Sequence, residues 1–522
     1  MDIIAQINAW INEKDPSKAP PVYWLAGLAG LGKTTIAYTI CESLNEARLP
    51  FTSYFCSLQL DSRNSKLLVT TLCRSLAELY EPFAVNVLSC LETNSKVVDD
   101  SLRIQIDELL AKPWEASIRQ CRDLPTPIVV VDALDECDRG TEFLTELLRV
   151  IHANQLTGIK FLVTSRPEPR IVNLCKTFPP NAVCKLHEVD TANVQNDILK
   201  YLREALPELK NGPELALLSQ RAGGLFIYAT TAVRFISPLH SSRSVAEMRF
   251  HLQVILNSEN LSFHDGSDER LLVDELYGRI LAVAFRDAGV RATRLRILHT
   301  IVCAESRIDT SVLADLMDTD QETVKRVAES LHAVLYISSK DGCIYWYHAS
   351  FPDFVFSRTR ARINISPHTT THGFDAFCDA PAHHGVLARR CFFVMQNSLY
   401  FNMCNLPSSY LLDSEVPDLG ASIHKAFSLS LRYILRHWAR HLRRAAPAES
   451  GADDLFRGLK KFVDNKLLFW IEAMNLIGAK YECTLLLKDA ESWLAKVKFR
   501  SIPYLSAELS QYISREMNCL IS

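Results

Sequence analysis

Apolar residues in the first third of the chain come as short unbroken runs, separated by longer stretches at helical spacing. Val22–Ala26 (VYWLA), Ile128–Val131 (IVVV) and Lys160–Thr164 (KFLVT) are the runs. Without polar alternation they predict strands buried on both faces, as in a parallel sheet covered by helices. Thr52–Leu58 and Lys185–Val189 are two further strand candidates. Behind the first run, Ile36, Ile40 and Leu44 recur at helical spacing. Strands alternating with helices imply right-handed crossovers and a ligand at the carboxyl edge of the sheet.

Further on the pattern turns helical. Val194, Ile198, Leu199 and Leu202 mark a helix within Asn193–Leu206, and Leu215–Ile236 reads as more apolar helix. Leu295–Val302, Thr310–Met317 and Thr319–Leu331 predict three helices, the last with a capping box from Thr319 to Glu322. Val334–Ser338 and Ile344–Tyr347 then alternate around Asp341-Gly342, which predicts a hairpin. Three helices and a hairpin suggest a winged helix. Its last helix sets Lys325 and Arg326 against Glu322 and Glu329, so a basic recognition helix for nucleic acid is disfavoured. From His383 the chain reads as helical, with Phe462–Ile477 apolar enough for a packing helix.

Composition changes this picture little. With 522 residues, 48% hydrophobic and 22% charged, the chain has room for several cores, and a net charge of −3 leaves no global footprint for nucleic acid or anionic lipid. The longest apolar stretch, near Leu225–Ile236, is interrupted by Arg234 and too short to span a bilayer. The first residues have no basic region ahead of an apolar core, so a signal peptide is not expected and a cytoplasmic location is. Fifteen cysteines lack CxxC pairs, which fits a reducing compartment. Cys378, His383, His384 and Cys391 do not have the spacing of a common zinc site. The basic stretch Arg432, Arg436, Arg440, Arg443 and Arg444 suits a solvated helix face or an acidic partner.

Chemistry enters with Gly27–Thr35 (GLAGLGKTT), set between the first strand and the first helix. Gly27, Gly30 and Gly32 let backbone N–H groups turn inward around phosphates, with Thr35 next in the same stretch. Lys33 adds a charge toward the β- and γ-phosphates, and the Thr34 hydroxyl suits Mg²⁺. The run IVVV delivers Asp132 to the carboxyl edge, where it can hold the same metal directly or through water. Asp135 and Glu136 follow, either of them a candidate to orient or deprotonate an attacking water. Ser165 and Arg166, after the third run, are placed to meet a γ-phosphate.

GLAGLGKTT, VVVDALDEC, FLVTSRPEP and AGGLFIYATTAV, in that order, resemble the NACHT-domain proteins of the STAND class of signalling P-loop NTPases, in particular the fungal NLR-like ones with a nephrocystin-like N-terminal region. The acids delayed to Asp135 and Glu136, with Ala133 directly after Asp132, carry much of the likeness. The resemblance implies an α/β P-loop NTPase domain followed by a helical lid, a winged-helix domain and a C-terminal α-helical region. The expected bounds are 1–20 for a lead helix, 21–190 for the nucleotide-binding domain, 191–275 for the lid, 276–360 for the winged helix and 361–522 for the helical domain. It implies ATP/ADP and Mg²⁺ as cofactors, with His348 against the β-phosphate of ADP. Phe226 stands where related domains have a proline against the base. It further implies a switch, closed with ADP and self-associating with ATP, that serves unknown sensors and effectors in non-self recognition, innate immunity or regulated cell death. A working ATPase that remodels a partner, or a nucleotide-stabilised scaffold, are the alternatives. Effector and repeat segments usual in the family are not recognised in this sequence.

Overall fold

The computed structural model describes residues 3–497, apart from 14, 16–17, 58, 60–64, 122–123, 187–190, 239–242, 257–268, 364–372, 409–410, 412–414 and 448–451. The chain forms two compact units: Met1–Val273 with His348–Ser350, and Asp274–Tyr347 with Phe351–Ser522.

In the first unit, β1 (Val22–Ala26), β2 (Phe51–Phe55), β3 (Ile128–Asp132), β4 (Lys160–Ser165) and β5 (Val183–Lys185) form a parallel sheet in the order β2-β3-β4-β1-β5. All residues of β1 and β3 are buried. Alternation explains why. Val22, Trp24, Val129, Val131, Phe161 and Val163 feed one core, and Tyr23, Leu25, Ile128, Val130 and Leu162 feed the other. The fold class is therefore the expected α/β one, with helices on both faces. The strand expected over Lys185–Val189 is corrected: β5 ends at Lys185, and 187–189 lie outside the described residues.

A lead helix, Ile3–Asn12, lays Ile7 and Trp10 into the second core. Lys160, the first residue of β4, clasps its end by donating to the carbonyls of Trp10 (2.7 Å), Ile11 (3.0 Å) and Glu13 (2.6 Å). A cation suits the negative end of a helix. Between β2 and β3 lies a helical insertion that includes a π-helical turn, Ile106–Ala111.

The second unit contains helices Ala288–Cys303, Thr310–Met317 and Gln321–Ser330, then an antiparallel pair, β6 (Leu335–Ile337) and β7 (Ile344–Trp346). The capping box is corrected. Asp318 takes a left-handed conformation and Thr319 N–H bonds back to Ala314, so Thr319 closes the preceding helix. Asp320 caps the next, accepting Thr323 N–H at 2.7 Å.

Helices Ala380–Ser398, Leu429–Arg444, Ala452–Leu476 and Cys483–Val497 pack around Phe392, Trp438, Phe462 and Trp470. The arginines of Leu429–Arg444 meet acids of this same unit: Arg436 pairs with Glu482, Arg443 with Asp489 and Arg444 with Glu305. Among the described residues no helix is long and apolar enough to cross a membrane.

Candidate functional site

The carboxyl edge of β1 leads straight into the glycine loop. Gly27 N–H bonds to Ser165 O at 3.2 Å and fixes where the loop leaves the sheet. Gly30 and Gly32 have φ of +85° and +88°, backbone that side chains resist, and Gly32 caps the helix Lys33–Glu46 without a side-chain acceptor. The N–H groups of that first turn are thus presented at the loop, as an anion site requires. Lys33 folds over the loop, donating to Gly27 O (2.8 Å) and Leu28 O (2.9 Å). Burial lowers its pKa, and Asp135, Asp132 and Glu136 oppose that shift.

Asp132 stands at the end of β3. Its Oδ2 accepts the Thr34 hydroxyl at 2.8 Å, and its Oδ1 accepts the Thr164 hydroxyl at 2.6 Å. Thr164 in turn accepts Ala133 N–H at 2.9 Å, so its single proton is committed to Asp132. Burial pushes the Asp132 carboxyl up while these two hydroxyls and Lys33 pull it down. The donor set fits a hard cation. Adjacent oxygens around octahedral Mg²⁺ at about 2.0–2.1 Å lie roughly 2.9 Å apart; Thr34 Oγ1 and Asp132 Oδ2 already have that spacing.

Asp135 and Arg166 form one unit. Asp135 Oδ1 accepts Arg166 N–H at 2.9 Å and Oδ2 lies 3.2 Å from Arg166 Nε, with the carboxylate side chain only 5% exposed. This pair holds the guanidinium at the sheet edge. Glu136 lies in the same short turn, close enough to act on Lys33 electrostatically. Thr35 lies exposed on the first turn of the helix.

His348 belongs to this same unit. Its Nδ1 accepts Ser350 N–H at 3.1 Å and lies 2.8 Å from Ser350 Oγ, so the neutral ring carries its proton on Nε2. Its pKa is pushed down to about 3, first by burial and then by the charges of Arg166, Lys33 and Arg234.

The structure brings Gly27, Gly30, Gly32, Lys33, Thr34, Asp132, Asp135, Arg166 and His348 into one neighbourhood, and three further groups there escape the sequence reading. Thr164 is the hydroxyl that reaches the acid; Ser165, expected to meet a γ-phosphate, is buried and accepts the Trp24 indole N–H at 2.9 Å. Adjacent strand residues face opposite sides, and only the β3–β4 register tells which one meets Asp132. Ser350 fixes the His348 tautomer. Ile227 N–H, at the start of the helix Phe226–Ile236, bonds to Gly30 O at 3.2 Å and brings that helix onto the loop. The zinc candidates are parted: Cys378 Sγ lies 3.6 Å from Cys303 Sγ, His383 bonds to Thr300, and His384 to His441.

A glycine loop at the end of a central parallel strand, a helix N-terminus and a threonine–aspartate pair define a P-loop NTPase domain. Residues 4–166 match the family "Nephrocystin 3, N-terminal". The vegetative incompatibility protein HET-E-1 of Podospora anserina is 22% identical over 501 residues, 90% of this chain and 34% of that relative. The chain thus spans about a third of that relative's length. Among solved structures, a STAND protein with a tetratricopeptide-repeat sensor from Pyrococcus horikoshii is 14% identical with a TM-score of 0.39, covering all of this chain and 66% of that one. The Orc1 protein of Aeropyrum pernix, solved with DNA, is 11% identical with a TM-score of 0.22, covering 67% of this chain and 90% of that one. Over residues 4–166 the chain is thus similar to the nephrocystin 3 N-terminal family, and over most of its length to a fungal vegetative incompatibility protein.

Proposed function

We propose that the chain is an ATP/ADP- and Mg²⁺-dependent signalling switch rather than a fast motor. The observation that carries this reading is His348, far along the chain from the loop, held with Nε2–H available within electrostatic reach of Lys33 and Arg166. A neutral donor there suits a phosphate oxygen at the loop. A hydrogen bond to a charged group is worth about 1.5–3 kcal/mol, enough to bias a two-state element by roughly ten- to a hundredfold.

The residues then have distinct tasks. Gly27, Gly30, Gly32, Lys33 and the first turn through Thr35 hold the phosphates, and Thr34 with Asp132 hold Mg²⁺, which supplies charge neutralisation when bound. Asp135 positions Arg166 for the γ-phosphate, and Glu136, in the same short turn, is the other candidate to orient water.

In this reading helices Ala288–Cys303, Thr310–Met317 and Gln321–Ser330 with β6 and β7 are the winged helix, and ADP retains His348 at the loop. ATP releases it and exposes surfaces for self-association. The relative's vegetative-incompatibility name supports a role in non-self recognition or cell death. Measuring the rate of ADP dissociation tests the mechanism. His348→Ala is expected to speed it about tenfold or more; an unchanged rate, or hydrolysis much faster than release in the parent protein, would overturn it.

A further inference from the structure

The second unit holds a chain of hydrogen bonds whose direction is fixed from one end. Glu305 N–H, which can only donate, bonds to Tyr433 Oη at 3.1 Å. The Tyr433 hydroxyl proton then goes to its other partner, His441 Nε2, at 2.9 Å. His441 must therefore carry its proton on Nδ1, which donates to His384 Nδ1 at 2.9 Å. The last imidazole is left with its proton on Nε2. His384 is 3% exposed, and among the described residues no protein group accepts that N–H.

His384 lines a groove of about 660 Å³, together with Arg443, Arg444, Ser492 and Lys496. Arg443 is paired with Asp489 and Arg444 with Glu305, so Lys496 leaves a positive charge in excess on this wall. Ala380 and Pro381 line the same groove and open the helix Ala380–Ser398, whose first turn is capped by Asp379, accepting Ala382 N–H at 3.2 Å. Val302 and Phe356 add an apolar wall. The volume lies within the roughly 300–1,000 Å³ of small-molecule sites.

We infer that this groove binds a phosphate monoester carried on a small apolar body, with His384 Nε2–H and the cations Arg443, Arg444 and Lys496 on the phosphate and Val302 and Phe356 on the body. A phosphate monoester carries about −1.5 to −2 charge at neutral pH, which answers the excess cation, and its oxygens accept the His384 N–H. Burial and Arg444 push the His384 pKa down to about 4, so the ring is a neutral donor under ordinary conditions. The same cluster does not suit zinc. The ligand atoms of Glu305, His384 and His441 lie within 4.8 Å of one another, but placing a metal on both Nδ1 atoms would reverse the chain and strand the buried Tyr433 proton.

Calorimetry on the full chain, with Mg-ADP in excess so that the nucleotide loop is occupied, tests the assignment with phenyl phosphate and inorganic phosphate. Phenyl phosphate is expected to bind more tightly than inorganic phosphate. His384→Phe is expected to weaken it about tenfold or more, and the exposed substitution Lys496→Glu, which leaves the core untouched, by a similar factor. Phosphatidylcholine vesicles containing phosphatidic acid separate the two sources. Binding of phenyl phosphate alone assigns a soluble ligand, whereas sedimentation with these vesicles, lost in Lys496→Glu, assigns a lipid headgroup. No binding of any probe, or binding that neither substitution alters, overturns the inference. So does stoichiometric zinc that is lost in His441→Gln.

Discussion

Thr164→Val is the sharpest test of how Asp132, the acid proposed to bind the metal, is held. Valine matches threonine in shape, so the fully buried position keeps its packing and loses only the hydroxyl. Two bonds go with it: the 2.6 Å donation to Asp132 Oδ1 and the 2.9 Å acceptance of Ala133 N–H. The first is made to a charged group and is worth about 1.5–3 kcal/mol; the second leaves a backbone donor unsatisfied, at about 1–3 kcal/mol. Loss of the first also removes a pull that keeps the buried carboxyl ionised. At about 1.36 kcal/mol per decade, the Mg²⁺ concentration that half-saturates a fluorescent ATP analogue should rise roughly ten- to a hundredfold, while binding of the analogue in excess chelator changes little. Thr164→Ser, which keeps the hydroxyl, should recover most of the loss. A valine variant within threefold of the parent would refute the claim that Thr164 positions Asp132.

Gly30→Ala should destabilise the first unit by about 2 kcal/mol or more, because φ is strained and the new methyl would meet Ile227 Cγ2 at 2.0 Å; denaturant unfolding measures it, and adding Ile227→Ala should recover only part. Lys160→Met removes the clasp on Trp10, Ile11 and Glu13, and about 1.5–3 kcal/mol of local stability should go with it, seen as faster amide exchange in Ile3–Asn12. His383, buried and bonded to Thr300, has its pKa pushed down to about 3 by burial and by neighbouring His299, His384 and Arg296. The unfolded chain therefore takes up the proton first on acidification, and stability present above the ordinary histidine range is lost as pH falls, by about 2 kcal/mol between pH 7 and pH 5. His383→Gln should flatten that part of the pH profile, and an unchanged slope would count against a neutral buried His383.

How far the sequence reaches depends on the range of the interaction. The strands at Val22, Ile128 and Lys160 were legible because burial on both faces writes itself as an unbroken apolar run. The loop was legible because phosphate binding demands glycine and lysine at fixed local spacing. Thr319 was misread as a cap because a left-handed Asp318 ended one helix two residues before Asp320 began the next, a conformational detail that residue type alone does not specify.

What the sequence by itself determined is therefore the α/β class, the glycine loop after β1 and the acids that follow β3, since each is set by neighbours along the chain. Only the tertiary structure decided that Thr164 serves Asp132, that Asp135 is bound to Arg166, that Ser350 sets the proton on His348, and that Glu305, Tyr433, His441 and His384 form one directed chain. Those outcomes depend on strand register and on hydrogen-bond direction between residues distant in sequence, and packing, not local pattern, fixes both.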